Sequence, residues 1–299
     1  MTAVGVLGIG RMGGSMARAL AAAGFDVVCW NRTPDAAEAL AKELGGRAVA
    51  RPADVAAEAD VCVSMLADGH AVEAVYRGPD GLLSGARPGN VLSDSSTVPP
   101  STMRAFEAEA RAAGARLLDA PVSGSVGLAQ SGSLTIMVGG EAADLDVARP
   151  VLDALAKTVI HMGPLGSGAA MKLAVNALIF GLNQAVAEGL VLAEAAGIDS
   201  ALAYDVLTAS AAGAPFVGYK RAAFLDPEST PVAFALDLAA KDLRLIADLA
   251  REVGVPIPQA ITNLEAIVAA SVGGRGGRDF SSVAGYLREN ARLEEGRPA

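Results

Sequence analysis

In the first half of the chain, short apolar runs alternate with longer helical patterns. "VGVLGI" (4–9), "DVVCW" (26–30), "DVCVSML" (60–66), "NVLSD" (90–94), "ARLLDAPV" (115–122) and "LTIMVGG" (134–140) read as strands. They are apolar without clean alternation, the pattern of strands covered on both faces. Between several of them lie Ala/Glu/Arg-rich stretches, such as 13–23, 35–44 and 101–113, that read as helices. Strand and helix in alternation predict βαβ units around a mainly parallel sheet.

The pattern changes at "HMGPLGSG" (161–168). Beyond it helical patterns run over 168–195, 199–212, 233–253 and 258–272, broken at Gly197, "GAP" (213–215), "DPESTP" (226–231) and "PIP" (256–258). The expected organisation is an α/β nucleotide-binding domain over 1–162 and an all-helical domain over 163–299, within what 299 residues accommodate. The tail "RENARLEEGRPA" is polar and is expected to fray.

Composition narrows the function. Hydrophobic residues at 52% against 19% charged supply a large core and argue against disorder. A net charge of -9 argues against a nucleic-acid surface or a polybasic membrane patch. The N-terminus has no basic n-region, and the most apolar helical stretch, 173–182, is shorter than the roughly 20 residues a bilayer needs. Cys29 and Cys62 fall in strand-like runs, which fits a reducing cytoplasm rather than a disulfide framework. No His/Cys cluster has the spacing of a zinc site, so no metal is expected. His70 and His161 read as structural or surface residues, and Trp30 as a core residue.

Two stretches carry candidate chemistry. In "VGVLGIGRMGGSMARAL", Gly8-x-Gly10-x-x-Gly13 follows a strand and opens a helix, the context of a dinucleotide-binding turn. The second strand ends in "CWNRTPD", where NAD sites usually place Asp or Glu for the ribose 2′-OH. Asn31 in its place removes repulsion against a 2′-phosphate, and Arg32 and Thr33 can hold one, so NADP is favoured and NAD remains possible. The competing reading is an Asn cap beside a solvated arginine.

The second stretch is "GPLGSGAAMKLAVNALIF" (163–180). Helical rotation of about 100° per residue places Lys172, Asn176 and Asn183 on one narrow stripe of an otherwise apolar helix. Lys172 is either a solvated charge or a sheltered base; a polar stripe on such a helix favours one that lines a cleft. Burial disfavours the ammonium form of a lysine, which brings proton exchange toward neutral pH. The Ser/Gly-rich "PVSGSVGLAQSG" suits a carboxylate cradle or an ordinary loop. The hydroxyls of "SDSSTVPP" (93–100) can serve a site or cap the next helix, and Lys241 with Asp242 in "KDLRLIADLA" reads as a surface pair.

Four motifs, "GVLGIGRMGGSMA", "DAPVSGSVGLAQSGSLTIMVGG", "GPLGSGAAMKLAVN" and "KDLRLI", occur in order over nearly the whole chain. By them the chain resembles the β-hydroxyacid dehydrogenase family, which includes 3-hydroxyisobutyrate dehydrogenase and the tartronate and glyoxylate/succinic semialdehyde reductases. The resemblance implies a Rossmann domain, a long connecting helix and an all-α domain that commonly mediates dimerisation, hence a homodimer or higher homo-oligomer. It also implies reversible hydride transfer between a nicotinamide and a small 3-hydroxy acid or short aldehyde acid. On this resemblance Lys172 is catalytic, aided by Asn176 and Ser123; Ser123, Gly124, Ser125 and Asn176 contact substrate; Phe234 and Asp242 border its pocket. The cofactor lies against Gly8, Ile9, Gly10, Arg11, Met12 and Gly13, with Leu66, Ala67, Thr97 and Lys241 as further contacts. This chain reads "SGS" where many members continue "SGG", so Ser125 adds a donor or narrows the pocket. Imine reductases share the fold and a similar "NRT" segment but generally lack the lysine. The remaining alternative is a catalytically silent NADP-binding interaction module.

Overall fold

The computed structural model describes residues 3–291. Nine strands form one sheet: β1 (Ala3–Leu7), β2 (Asp26–Trp30), β3 (Arg47–Ala48), β4 (Val61–Ser64), β5 (Val91–Asp94), β6 (Arg116–Asp119), β7 (Val122–Ser123), β8 (Leu134–Gly139) and β9 (Ala156–Gly163). Their helices are α1 (Arg11–Ala22), α2 (Pro34–Leu44), α3 (Pro52–Glu58), α4 (Gly69–Arg77), α5 (Leu82–Gly85), α6 (Pro100–Ala112), α7 (Val126–Gln130) and α8 (Ala142–Leu155). The helical region has α9 (Ser167–Ala195), α10 (Ser200–Ala209), α11 (Pro215–Leu225), α12 (Leu236–Val253), α13 (Pro258–Ala270) and α14 (Val283–Asn290).

The sheet runs β3-β2-β1-β4-β5-β6-β8-β7, with β9 paired to β8. From β3 to β6 every pair is parallel, and the winding reverses between β1 and β4. That reversal is the switch point where doubly wound sheets bind nucleotides, outside the carboxyl ends of the strands. The central strands β1, β4 and β5 are almost wholly buried, which is why their sequences are continuous rather than alternating. Five helices begin at proline, at positions 34, 52, 100, 215 and 258, where the missing N–H costs no helical hydrogen bond.

Several features depart from the sequence reading; β3 and α14 match no run singled out there, α14 takes in Arg288–Asn290 of the polar tail, and 292–299 of that tail lie outside the described residues. The run 115–122 is two strands: β6 ends at Asp119, and β7 restarts beyond Pro121 to run antiparallel to β8. The edge strand β9 is unanticipated because its residues are mostly exposed and carry no apolar run. Helix α11 is likewise unanticipated, since "PFVGYKRAAFL" mixes aromatics, Val and a glycine, weak helix formers all.

The described chain divides into two compact units between Lys172 and Leu173, inside α9. In the second unit a single core gathers Leu173, Phe180, Ala187 and Leu190 from α9 with Leu236, Leu243 and Ile246 from α12. The 29-residue α9 corrects the short estimate made from 173–182: its length and mean hydropathy of 1.4 would by themselves suffice to cross a membrane. Leu173, Phe180, Ala187 and Leu190 of this helix are nevertheless buried inside the core of the second unit.

Candidate active site

The first unit carries the dinucleotide turn at the head of β1. Gly8 adopts φ +94°, and a side chain there would collide with the Met65 carbonyl. A side chain at Gly13 would strike the carbonyl of Gly8, so helix and strand close to a distance only glycine permits. Gly10 caps α1 without any side-chain bond, and the space where its Cβ would project is open. Exposed Arg11 follows it at the first helical position. An uncapped helix N-terminus beside open space fits a pyrophosphate. Ile9 and Met12, both half-buried, pack against the sheet core and brace the turn from below.

Asn31, at the end of β2, accepts from Ile9 N at 3.0 Å and donates through Nδ2 to Thr33 O at 3.0 Å. It therefore staples the tip of β2 to the dinucleotide turn and does not cap α2. Thr33 is the N-cap of α2, but its side chain makes no capping bond, and Arg32 beside it is exposed. Trp30 is half-buried and donates to Ala50 O at 3.2 Å, so its indole closes the fold.

Beyond β4 and β5 lies a buried polar network that sequence reasoning missed. Ser64 Oγ donates to Asp94 Oδ1 at 2.6 Å and lies 3.1 Å from the Tyr76 hydroxyl. Ser96 donates its hydroxyl to Asp94 Oδ1 at 2.8 Å and its backbone N–H to Oδ2 at 3.2 Å. The Ser96 oxygen in turn accepts from Leu66 N at 2.8 Å. Burial pushes the Asp94 carboxyl up to about 6, against the pull of those donors. Ser96 is thus not a helix cap: α6 begins at Pro100, with Pro99 at its N-cap. Through this bond the segments carrying Leu66–Ala67 and Thr97 are brought side by side. The signal was present as "SDSST" after an apolar strand, but strand pairing alone aligns Ser64 with Asp94.

A second buried carboxylate explains the glycine-rich entry to α9. Asp119, at the end of β6, accepts from Gly166 N and from Ala169 N, both at 2.6 Å. Burial raises its carboxyl, and these N–H donors oppose the rise. A side chain at Gly168 would collide with the Met137 carbonyl, so the helix start sits flush against the sheet. Lys172, half-buried, lies on the same helix one residue short of a full turn past Ala169.

In the loop after β7, Ser123 is half-buried and pairs in register with Thr135, while Gly124 is exposed at φ +143°. The Ser125 oxygen accepts from Leu128 N at 3.3 Å as the cap of α7, which leaves its O–H as the group it can offer.

In the second unit, Asn176 and Asp242 are joined: Asn176 Nδ2 donates to Asp242 Oδ2 at 2.8 Å, and both residues are buried. Lys241 Nζ lies 3.0 Å from Asp242 Oδ1. Asp242 is only 1% exposed, which overturns the surface-pair reading of Lys241 and Asp242. The last member of the polar stripe, Asn183, donates to Phe280 O at 3.1 Å and serves the fold. Phe234, half-buried, packs with Phe180 and Phe280 at ring separations of 6.2 and 5.7 Å.

Comparison with known proteins gives the family. Residues 3–163 match the NAD binding domain of 6-phosphogluconate dehydrogenase, and residues 166–287 match the NAD-binding domain of NADP-dependent 3-hydroxyisobutyrate dehydrogenase. The chain is 34% identical to the L-threonate dehydrogenase of Cupriavidus necator, over 94% of each chain. The chain belongs to the β-hydroxyacid dehydrogenase family. It is 34% identical to glyoxylate/succinic semialdehyde reductase 2 of Arabidopsis thaliana, over 95% of this chain and 79% of that one. The crystal structure of 3-hydroxyisobutyrate dehydrogenase from Salmonella typhimurium superposes with a TM-score of 0.88 at 32% identity, covering 96% of this chain and all of that one. An imine reductase from Pseudomonas sp. has a TM-score of 0.64 at 21% identity, with 96% of this chain and 99% of that one covered, and shares the fold alone. As a member of the family, the chain is a nicotinamide-dependent oxidoreductase with a Rossmann unit and a helical unit.

Proposed function

We propose that this enzyme is an NADP(H)-preferring dehydrogenase of small 3-hydroxy acids, or reductase of the matching aldehyde acids, with Lys172 as its general acid–base. One observation carries the reading: Lys172 is half-buried on a helix whose first turn is pinned by the buried Asp119 carboxylate. A lysine on a freely fraying helix end would not hold a proton at a defined place.

Gly8, Ile9, Gly10, Arg11, Met12 and Gly13 would hold the pyrophosphate, and Leu66, Ala67, Thr97 and Lys241 the rest of the dinucleotide. When bound, the reduced nicotinamide supplies hydride. The chain's own part is the proton. In reduction Lys172 Nζ gives it to the substrate oxygen; in oxidation Nζ takes it from the hydroxyl. Asn176, with Nδ2 committed to Asp242, offers Oδ1 to orient the ammonium or the substrate. Ser123, Gly124 and Ser125 supply hydroxyls and backbone N–H for a carboxylate, and Phe234 and Asp242 limit the pocket. The imine-reductase alternative is disfavoured by Lys172 itself, and a silent binding module by the maintained Asn176–Asp242 pairing.

NADP preference rests on the neutral Asn31, whose oxygen is committed to Ile9 N, and on the exposed Arg32 and Thr33 next to it. Arg32→Ala is expected to raise the KM for NADP by about tenfold or more, the loss of one charge-assisted contact, and to leave the KM for NAD nearly unchanged. Equal effects on both cofactors would remove Arg32 from the phosphate site.

Two further features support the setting. Cys29 and Cys62 are buried free thiols, as a reducing cytoplasm would leave them. Exposed Leu178, Leu192, Leu202 and Val206 on α9 and α10 suit a second copy of the chain as partner. The substrate class is tested by following NADPH oxidation over a panel of short aldehyde acids and cyclic imines. Turnover of aldehyde acids is expected; turnover of imines alone would refute the reading.

A further inference from the structure

We propose that Asp94 is a positioning residue for the cofactor, acting through Ser96 to set the spacing of the two loops that leave β4 and β5. The inference deepens the cofactor reading and rests on it.

The argument starts from the number of bonds each atom can make. A serine hydroxyl has one proton to give. In Ser96 that proton goes to Asp94 Oδ1 at 2.8 Å, which turns the oxygen's lone pairs outward. One of them accepts the N–H of Leu66 at 2.8 Å. The carboxylate fixes the serine twice, because Oδ2 also accepts the Ser96 backbone N–H at 3.2 Å. Ser64 Oγ, on the neighbouring strand, donates to the same Oδ1 at 2.6 Å. Asp94, Ser64 and Ser96 are all nearly inaccessible to solvent, so no water competes for these bonds.

The position of the network gives it a function. It lies at the carboxyl ends of adjacent parallel strands, next to the switch point where a doubly wound sheet receives its dinucleotide. Beyond the last paired residues of β4 and β5, Ser64 and Asp94, the bond from Leu66 N to Ser96 Oγ ties one departing loop to the other. A purely structural polar cluster would be as well placed at the amino ends of the strands. This one lies where both loops must present a fixed face to the nicotinamide half of the cofactor. Its outer limb is different in kind. Tyr76 hydrogen-bonds Ser64, stacks on Phe106 at a ring separation of 5.0 Å, and belongs to the packing of α4 and α6.

The test separates positioning from stability. Dissociation constants for NADPH are measured by titration of full-length Ser96→Ala, Asp94→Asn and Tyr76→Phe, together with their melting temperatures. Ser96→Ala deletes the bridge and Asp94→Asn sets an amide donor against an N–H donor; each is expected to weaken NADPH binding about tenfold, the effect of one lost hydrogen bond. Tyr76→Phe is expected to lower the melting temperature while leaving NADPH binding at the wild-type value. Unchanged affinity in a folded Ser96→Ala protein overturns the proposal, as does an equal loss in Tyr76→Phe. Wild-type protein that binds neither NADPH nor NADH would instead remove the cofactor reading beneath it.

Discussion

Replacing Lys172 with methionine is expected to lower kcat by about 10²–10⁴-fold while the protein still folds and binds NADPH. That range is the usual contribution of a positioned acid–base group, about 3–5 kcal/mol of barrier. Methionine keeps the half-buried stem in place and removes only the ammonium, so packing is preserved. The cofactor turn is closed by the Met65 carbonyl and by Asn31, neither of which the substitution touches. Single-turnover reduction of a short aldehyde acid, with NADPH binding measured separately, distinguishes the outcomes. A variant with wild-type kcat would show that another group supplies the proton. Loss of NADPH binding together with kcat would place Lys172 in cofactor binding rather than in proton transfer.

The largest effect on stability is expected at the ion pair inside the helical unit. Lys220, 4% exposed, donates to Asp279 Oδ1 at 2.6 Å and lies 4.3 Å above the centre of the Phe280 ring. Asp279 also accepts from Ser281 N at 3.1 Å, Ala233 N at 3.0 Å and Phe234 N at 3.2 Å. One carboxylate thereby ties the segment before α12 to the segment before α14. Asp279→Asn leaves the Lys220 ammonium buried without its counter-charge, at a cost of about 3–5 kcal/mol. The double variant Lys220→Met/Asp279→Asn is expected to lose less than the sum of the single losses, because the uncompensated charge is gone. Urea unfolding followed by circular dichroism measures both, and strict additivity would show that the pair does not interact.

The same pair has a pH signature. Burial alone raises the Asp279 carboxyl, but Lys220 and the backbone N–H groups outweigh it and hold it below its ordinary value of 3.8. A carboxyl with a depressed folded-state value stabilises the protein above the unfolded value and loses that contribution as pH falls through the folded one. Acid unfolding below about pH 3.8 is therefore steeper in the wild type than in Asp279→Asn.

Much of this was legible in the residues. The alternation of strand and helix, the change to pure helix after 161–168, and the Gly8-x-Gly10-x-x-Gly13 turn required only periodicity and local sterics. These are short-range properties, decided by neighbours within one element. The candidate residues Lys172 and Asn176 were visible for the same reason, as polar positions on an apolar helical stripe.

What stayed hidden depends on partners far away in the chain. Asp119 reads as a strand end, yet it holds backbone N–H groups about fifty positions on, at Gly166 and Ala169. Lys241 and Asp242 read as a solvated pair because an amphipathic helix does not reveal which turn another helix covers; Asn176, 66 positions earlier, turns Asp242 inward. Ser96 reads as a cap until strand pairing lays Asp94 beside Ser64. By itself the sequence determined the alternation of strand and helix, the dinucleotide turn and which residues are chemically able, though not the edge strand β9 or the helix α11. Only the tertiary structure decided which buried carboxylate each polar group meets, because that depends on which distant strands and helices the hydrophobic core presses together.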